Sequence, residues 1–142
     1  MAQTLKGHVA LVTGSTTGLG LGIAKVLGAG GAKVVMNYYN NDERAERAFS
    51  EFQSAGGEGL LLKANAVDEE AIADLVSKAE SDLGPIDIIV PNATPDQPLK
   101  PIEEYDWDFY QQMLNFFIKS PYLLTRAVLP NMKKSGWGRI IN

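Results

Sequence analysis

Apolar residues along this chain fall into two alternating kinds of segment. Val9-Ala-Leu-Val12 is a short, continuous apolar run closed by Thr13-Gly14, and it predicts a buried strand. Lys33 to Asn37, Gly59 to Lys63 and Ile86 to Val90 have the same character. Between these runs the spacing changes to that of a helix. Leu19 to Leu27 carries Ile23, Val26 and Leu27 on one face and is expected to stop at Gly28, Gly30 and Gly31. Asp42 to Ala55 places Ala45, Ala48, Phe49 and Phe52 at i, i+3, i+4 and i+7, and Gly56-Gly57 ends it. A third helix starts near Asp68, is marked by Ile72, Leu75, Val76, Ala79 and Leu83, and ends at Gly84-Pro85. Pro95, Pro98 and Pro101 make the next segment a loop. A long helix is then expected from about Tyr105 to Lys134, kinked at Pro121. Gly136-Trp-Gly138 breaks it, and Arg139 to Asn142 reads as the start of a fifth strand, with a frayed tail as the alternative.

Apolar strands alternating with amphipathic helices predict an α/β fold, a doubly wound parallel sheet with helices on both faces and right-handed crossovers. No repeat, low-complexity tract or linker divides the chain, so residues 1–142 are expected to form one domain. Because the last strand signal stands at the end of the sequence, the sheet is expected to be incomplete on its C-terminal side.

Composition narrows the possible chemistry mainly by exclusion. A net charge of −4 offers no electrostatic reason for nucleic acid or an anionic membrane to bind. With no cysteine and a single histidine, His8, disulfides, thiolate sites and histidine metal clusters are excluded, and no metal is expected. His8 reads as a residue at the mouth of the first strand. The start lacks the basic and apolar regions of a signal peptide, and no window approaches a membrane span, so the expected location is the cytoplasm.

The positive chemical signal is the glycine-rich turn between the first strand and first helix, Thr13-Gly14-Ser-Thr-Thr-Gly18-Leu-Gly20. In such a sheet a dinucleotide pyrophosphate binds there. Gly14 can take the sharp turn off the strand, Gly18 leaves space for phosphate, and Gly20 allows close helix packing. The helix N-terminus offers unpaired N–H groups, and Ser15, Thr16 and Thr17 add hydroxyl donors. Leu19 completes the loop. A purely structural tight turn is the competing reading.

The spacing Thr-Gly-x-x-x-Gly-x-Gly resembles the fingerprint of the short-chain dehydrogenases/reductases, a Rossmann-type family. Val90-Pro-Asn-Ala-Thr94 resembles that family's Asn-Asn-Ala-Gly, Asn115 matches its helix asparagine, and Leu129 to Met132 and Gly136 to Asn142 resemble its run into the fifth strand. The likeness is nearest to the 3-oxoacyl-carrier-protein reductase and 3-hydroxybutyrate dehydrogenase members and extends over essentially the whole chain. It implies a nicotinamide cofactor held by the glycine loop, by Asn37, Tyr38 and Tyr39 after the second strand, by Asn65 and Ala66, and by Asn92, Ala93 and Thr94. It also implies a small carbonyl or alcohol substrate, and pairing into a dimer or tetramer through the Tyr105–Lys134 helix.

In the family a serine, a tyrosine and a lysine perform the proton chemistry. Here the tyrosines 38, 39, 105, 110 and 122 are followed four residues later by Asp42, Glu43, Phe109, Leu114 and Arg126, so no Tyr-x-x-x-Lys is present. Of the four catalytic positions Asn115 alone remains, either supporting a water-mediated proton path or linking helix to sheet. The resemblance therefore implies the cofactor-binding half of an oxidoreductase, inactive by itself. A dinucleotide-binding module without catalysis is the alternative. A dehalogenase relative is disfavoured by the intact glycine set.

Three positions depart from the family pattern. Pro91 and Thr94 replace Asn and Gly, and Asn65 stands where Asp is usual near adenine. Asn65 can still accept a hydrogen bond from the adenine amino group. The second strand ends in Met36-Asn-Tyr-Tyr-Asn40, without the carboxylate that repels a 2′-phosphate. Arg44 could swing toward such a phosphate or pair with a nearby Glu, and the balance leans to NADP(H) over NAD(H).

Overall fold

The computed structural model describes residues 4–142. Five strands, β1 (Val9–Val12), β2 (Lys33–Tyr38), β3 (Glu58–Lys63), β4 (Ile88–Val90) and β5 (Arg139–Ile140), form one parallel sheet in the order β3-β2-β1-β4-β5. Helices α1 (Gly18–Ala29), α2 (Asp42–Ser54), α3 (Glu69–Leu83), α4 (Trp107–Leu114) and α5 (Ser120–Ser135) connect them. The expected doubly wound architecture is therefore present.

Strand register decides which face each apolar residue covers. Leu11, Val35 and Ile89 pack with Ile72, Leu75 and Val76 of α3 and with Leu123, Leu124 and Val128 of α5. Val12, Val34, Met36 and Val90 face the other way, onto Ala24 of α1 and Ala48 and Phe52 of α2. With both faces covered, the apolar residues of β1, β2 and β4 are buried, which is why these strands read as largely apolar runs. The strand order reverses between β1 and β4, and this reversal opens a crevice at the carboxyl ends of those strands.

Three local expectations need correction. The glycines after Leu27 do not all end the first helix, since α1 runs to Ala29 with Gly28 inside it. A Cβ on Gly28 would lie 2.6 Å from the Phe52 ring, so this glycine makes room for packing between α1 and α2. The fourth strand begins at Ile88, two residues later than expected, because Asp87 turns its carboxylate back to accept from the Val9 N–H at 3.1 Å and to meet His8 Nδ1 at 2.7 Å.

The third correction concerns the long helix. The expected Tyr105–Lys134 helix is two helices joined by a π-helical turn, Asn115–Lys119, and preceded by a 3-10 turn, Ile102–Glu104. Pro121 has no N–H and its ring would press on the carbonyl four residues earlier. The turn ahead of it widens, and the helix resumes with Pro121 in the first turn of α5, where no donor is needed. Asp106 caps α4 by accepting from the Phe109 N–H at 2.9 Å.

The fifth strand does form. Arg139 and Ile140 stand beside Ile88 and Ile89, and the Ile141 N–H reaches the Ile89 carbonyl at 3.0 Å, so this segment is paired and not frayed. Among the described residues no helix is long and apolar enough to cross a membrane, and no three His, Asp or Glu side chains gather to hold a metal.

Candidate functional site

The crevice is built in two layers. In the inner layer, polar groups from three strands tie the glycine loop down. The buried Thr13 hydroxyl accepts from the Asn92 and Ala93 N–H groups at 3.0 and 3.1 Å. The Asn92 amide returns the tie, donating to the Thr13 and Gly14 carbonyls at 3.0 and 3.1 Å. From the other side, Asn37 of β2 accepts from the Gly14 N–H at 3.3 Å and donates to the carbonyls of Leu62 and Ala64 at 3.3 and 3.0 Å. Gly14 has φ +60°, and a Cβ there would stand 2.9 Å from the Ala93 Cα, so both backbone shape and space require glycine. Gly20 packs on this loop itself, where a Cβ would meet the Gly14 carbonyl and the Asn92 amide.

Ser15 belongs wholly to the inner layer. Its side chain is buried, its hydroxyl accepts from the Asn37 N–H at 2.9 Å, and its own N–H donates to the Asn37 carbonyl at 2.9 Å. The expected role of its hydroxyl as a donor to a bound group has no support here, because that oxygen faces β2.

The outer layer is unspent. Thr17 is the N-cap of α1, yet its side chain makes no capping hydrogen bond, and the first turn of α1 holds no acidic residue. The first N–H groups of α1 therefore lack side-chain partners and present a partial positive charge. Gly18 has φ +51°, and nothing lies within 4 Å of where its Cβ would be. This bare helix end opens into a cleft of about 850 Å³, a size suited to a small-molecule or cofactor site.

Around that cleft stand Gly14, Thr16, Thr17, Gly18, Leu19 and Gly20 from the loop, Asn37, Tyr38 and Tyr39 from the end of β2, Asn65 and Ala66 from the end of β3, Asn92, Ala93 and Thr94 after β4, and Asn115 from the π-helical turn. Every residue picked from the sequence except Ser15 thus borders one space. Asn40, Ala64, Val67, Pro95, Asp96, Gln112 and Phe116 also border it and were not picked. Most are immediate neighbours of picked residues, and Gln112 precedes Asn115 by one helical turn, so helical spacing was the available signal for it.

Several of these side chains already have partners. The Asn65 carbonyl oxygen accepts from the Val67 N–H at 3.2 Å and keeps a second lone pair. The Thr94 hydroxyl donates to the Pro95 carbonyl at 3.2 Å. Asn115 accepts from the Gln111 amide at 3.2 Å, within its own helical stretch, so it does not link helix to sheet.

Charge at the β2 end is arranged asymmetrically. Arg44 of α2 borders the cleft, and its buried Nε has no hydrogen-bond partner. The neighbouring Glu43 pairs with Arg47 at 3.8 Å, not with Arg44. Asp42 is held by Lys63 of β3 at 2.9 Å. Hydrogen bonds from Lys63 first and the Tyr38 hydroxyl second pull the Asp42 carboxyl below its usual range, and the same Asp42 contact raises Lys63. Tyr38 is raised by partial burial and then by its bond to Asp42.

Comparison with known proteins agrees with this geometry. The family model described as short chain dehydrogenase matches residues 8–142. The chain is 37% identical over 141 residues to D-beta-hydroxybutyrate dehydrogenase of Cupriavidus necator, covering 97% of this chain and 53% of that protein. It is 39% identical over 141 residues to 3-oxoacyl-(acyl-carrier-protein) reductase of Haemophilus influenzae, covering 97% and 55%. A metagenomic short-chain oxidoreductase solved in complex with NADP superposes with a TM-score of 0.88 at 32% identity, over 98% of this chain and 62% of that one. The chain spans about half the length of the curated relatives it matches.

Proposed function

Because this chain belongs to the short-chain dehydrogenase family, we propose that it forms the cofactor-binding half of an NAD(P)-dependent oxidoreductase acting on a carbonyl or secondary alcohol. The observation that carries this reading is the uncapped N-terminus of α1, with bare Gly18, opening onto a large cleft at the strand-order reversal. A pyrophosphate there meets unpaired N–H groups and a favourable helix dipole. Residues 1–142 act as one dinucleotide-binding unit in this reading. When bound, nicotinamide supplies the hydride-carrying ring. The chain's own residues hold and orient it. Tyr38 and Tyr39 border the ribose end, Asn65 and Ala66 the adenine, and Asn92, Ala93 and Thr94 the nicotinamide side.

Asn115 has a supporting role in the proton path, and its place in a widened helical turn at the cleft suits one. No Tyr-x-x-x-Lys occurs among these 142 residues, so the chain alone lacks that family's proton donor and is expected to be inactive. Trp107, Phe117, Ile118 and Tyr122 are about half or more exposed along α4, the π-helical turn and α5, which supports pairing of copies through this face. The absence of cysteine suits a reducing cytoplasm.

The cofactor favoured is NADP(H). No carboxylate ends β2, and Arg44 brings an unspent guanidinium to the same corner. Calorimetric titration of the protein with NADP and with NAD tests both parts. NADP is expected to bind more tightly, and Arg44→Ala to weaken NADP about tenfold while leaving NAD within about twofold, the scale of a hydrogen bond to a charged group. Tighter binding of NAD refutes the preference. Binding of neither refutes the site.

A further inference from the structure

The corner that would receive a ribose 2′-substituent contains one cation that borders the cleft, Arg44, and two carboxylates beside it in sequence. Asp42, Glu43 and Arg44 share the first turn of α2. Left free, either carboxylate would repel a 2′-phosphate and weaken the field of Arg44. Both are matched, but differently. The Glu43–Arg47 pair is long and almost wholly exposed, with side chains 85% and 74% accessible. The Asp42–Lys63 pair is close, at 2.9 Å. Tyr38 itself borders the cleft.

This second arrangement follows from sheet register. Tyr38 and Lys63 are direct partners across β2 and β3, and the Lys63 ammonium stands 5.9 Å from the Tyr38 ring centre. Backbone pairing with β2 thus fixes the lysine that holds one carboxylate from α2. Arg44, two residues on, remains without a partner on its buried Nε.

We infer that Lys63 is a positioning residue for cofactor choice: by holding Asp42, it keeps Arg44 unopposed and so favours a 2′-phosphorylated dinucleotide over its unphosphorylated counterpart. This inference rests on the reading of the cleft as a dinucleotide site. Lys63 does not itself border the cleft. Its effect on the phosphate passes through Asp42.

A double-mutant cycle separates this route from its competitors. Affinities for NADP and NAD are measured on the protein and on Lys63→Met, Asp42→Asn, the double variant and Lys63→Arg, with thermal melts to verify folding. Lys63 is half exposed, so its replacement leaves the core intact. Lys63→Met is expected to lower the NADP-to-NAD affinity ratio about threefold, the scale of an exposed ion pair. Adding Asp42→Asn should return the ratio to that of Asp42→Asn alone, and Lys63→Arg should preserve it. A double variant as low as Lys63→Met would mean that Lys63 acts on the phosphate directly, and would overturn the inference. Equal losses for both dinucleotides, or an unmoved ratio, would overturn it too, while tight binding by the unaltered protein would leave the site reading standing. Binding of neither dinucleotide by the unaltered protein would remove both together.

Discussion

The two ends of the sheet are made of similar groups used in opposite ways. At the amino end, Asp87 engages His8 and the Val9 N–H, and its carbonyl accepts from the Arg139 N–H at 2.9 Å. The His8 ring stacks on Trp137 at 4.2 Å, and the Arg139 guanidinium lies 4.7 Å from the same indole. Each of these groups is spent on another, and the result is a fastening between β1, β4 and β5. At the carboxyl end the inner layer is spent and the helix end above it is not. Thr13, Ser15, Asn37 and Asn92 satisfy one another, while the α1 terminus, Gly18 and the Arg44 Nε are left over. A rigid inner shell that holds unsatisfied outer groups in place is what a binding site requires. A polar cluster by itself does not mark function; the polar groups left without partners do.

Asn37→Leu should break this contrast most severely. It strips the Gly14 N–H of its acceptor and the Leu62 and Ala64 carbonyls of a donor, all at a buried position. A loss of about 3 kcal/mol in chemical denaturation is expected, together with loss of dinucleotide binding. If stability falls by less than about 1 kcal/mol, the inner layer is not the support described here.

Gly18→Asn probes the outer layer without touching the inner one. Valine at this position would confuse two effects, since a β-branched residue at φ +51° is strained. Asparagine tolerates that backbone and still fills the phosphate space. The melting temperature should hold, while affinity for either dinucleotide drops by more than about tenfold. Unchanged affinity in the folded variant would take the pyrophosphate away from this loop.

His8→Ala tests the amino end and should have the smallest effect. Losing the bond to Asp87 and the stack on Trp137 should cost about 1 kcal/mol in denaturation. Dinucleotide affinity should stay the same, because the substitution lies at the far end of β1. A matching loss of affinity would show that the two ends are coupled, against the division drawn here.

Much of this architecture was legible before any coordinates. Helix and strand follow from periodicities within a turn or a pleat, so Ala45, Ala48 and Phe52 announced α2, and the run Val9–Val12 announced β1. The glycine spacing from Thr13 to Gly20 located the cleft for the same reason, since a sharp turn and a bare helix start are local demands. The helix around Asn115 was misread because Pro121 exerts its effect on the preceding turn, and whether a helix kinks or widens there depends on what packs around it.

By itself, then, the sequence determined the alternation of strands and helices, the place of the glycine loop and the absence of a carboxylate ending β2. The tertiary structure alone decided which polar residues face the cleft and which are consumed in holding it. Ser15 and Asn37 are 22 residues apart, Thr13 and Asn92 are 79 apart, and Asp42 and Lys63 are 21 apart. Their pairing depends on strand order and register, which are fixed by burial of both sheet faces at once. A hydroxyl or amide looks the same in sequence whether its partner is a neighbouring strand or a ligand, and only the long-range packing chooses between them.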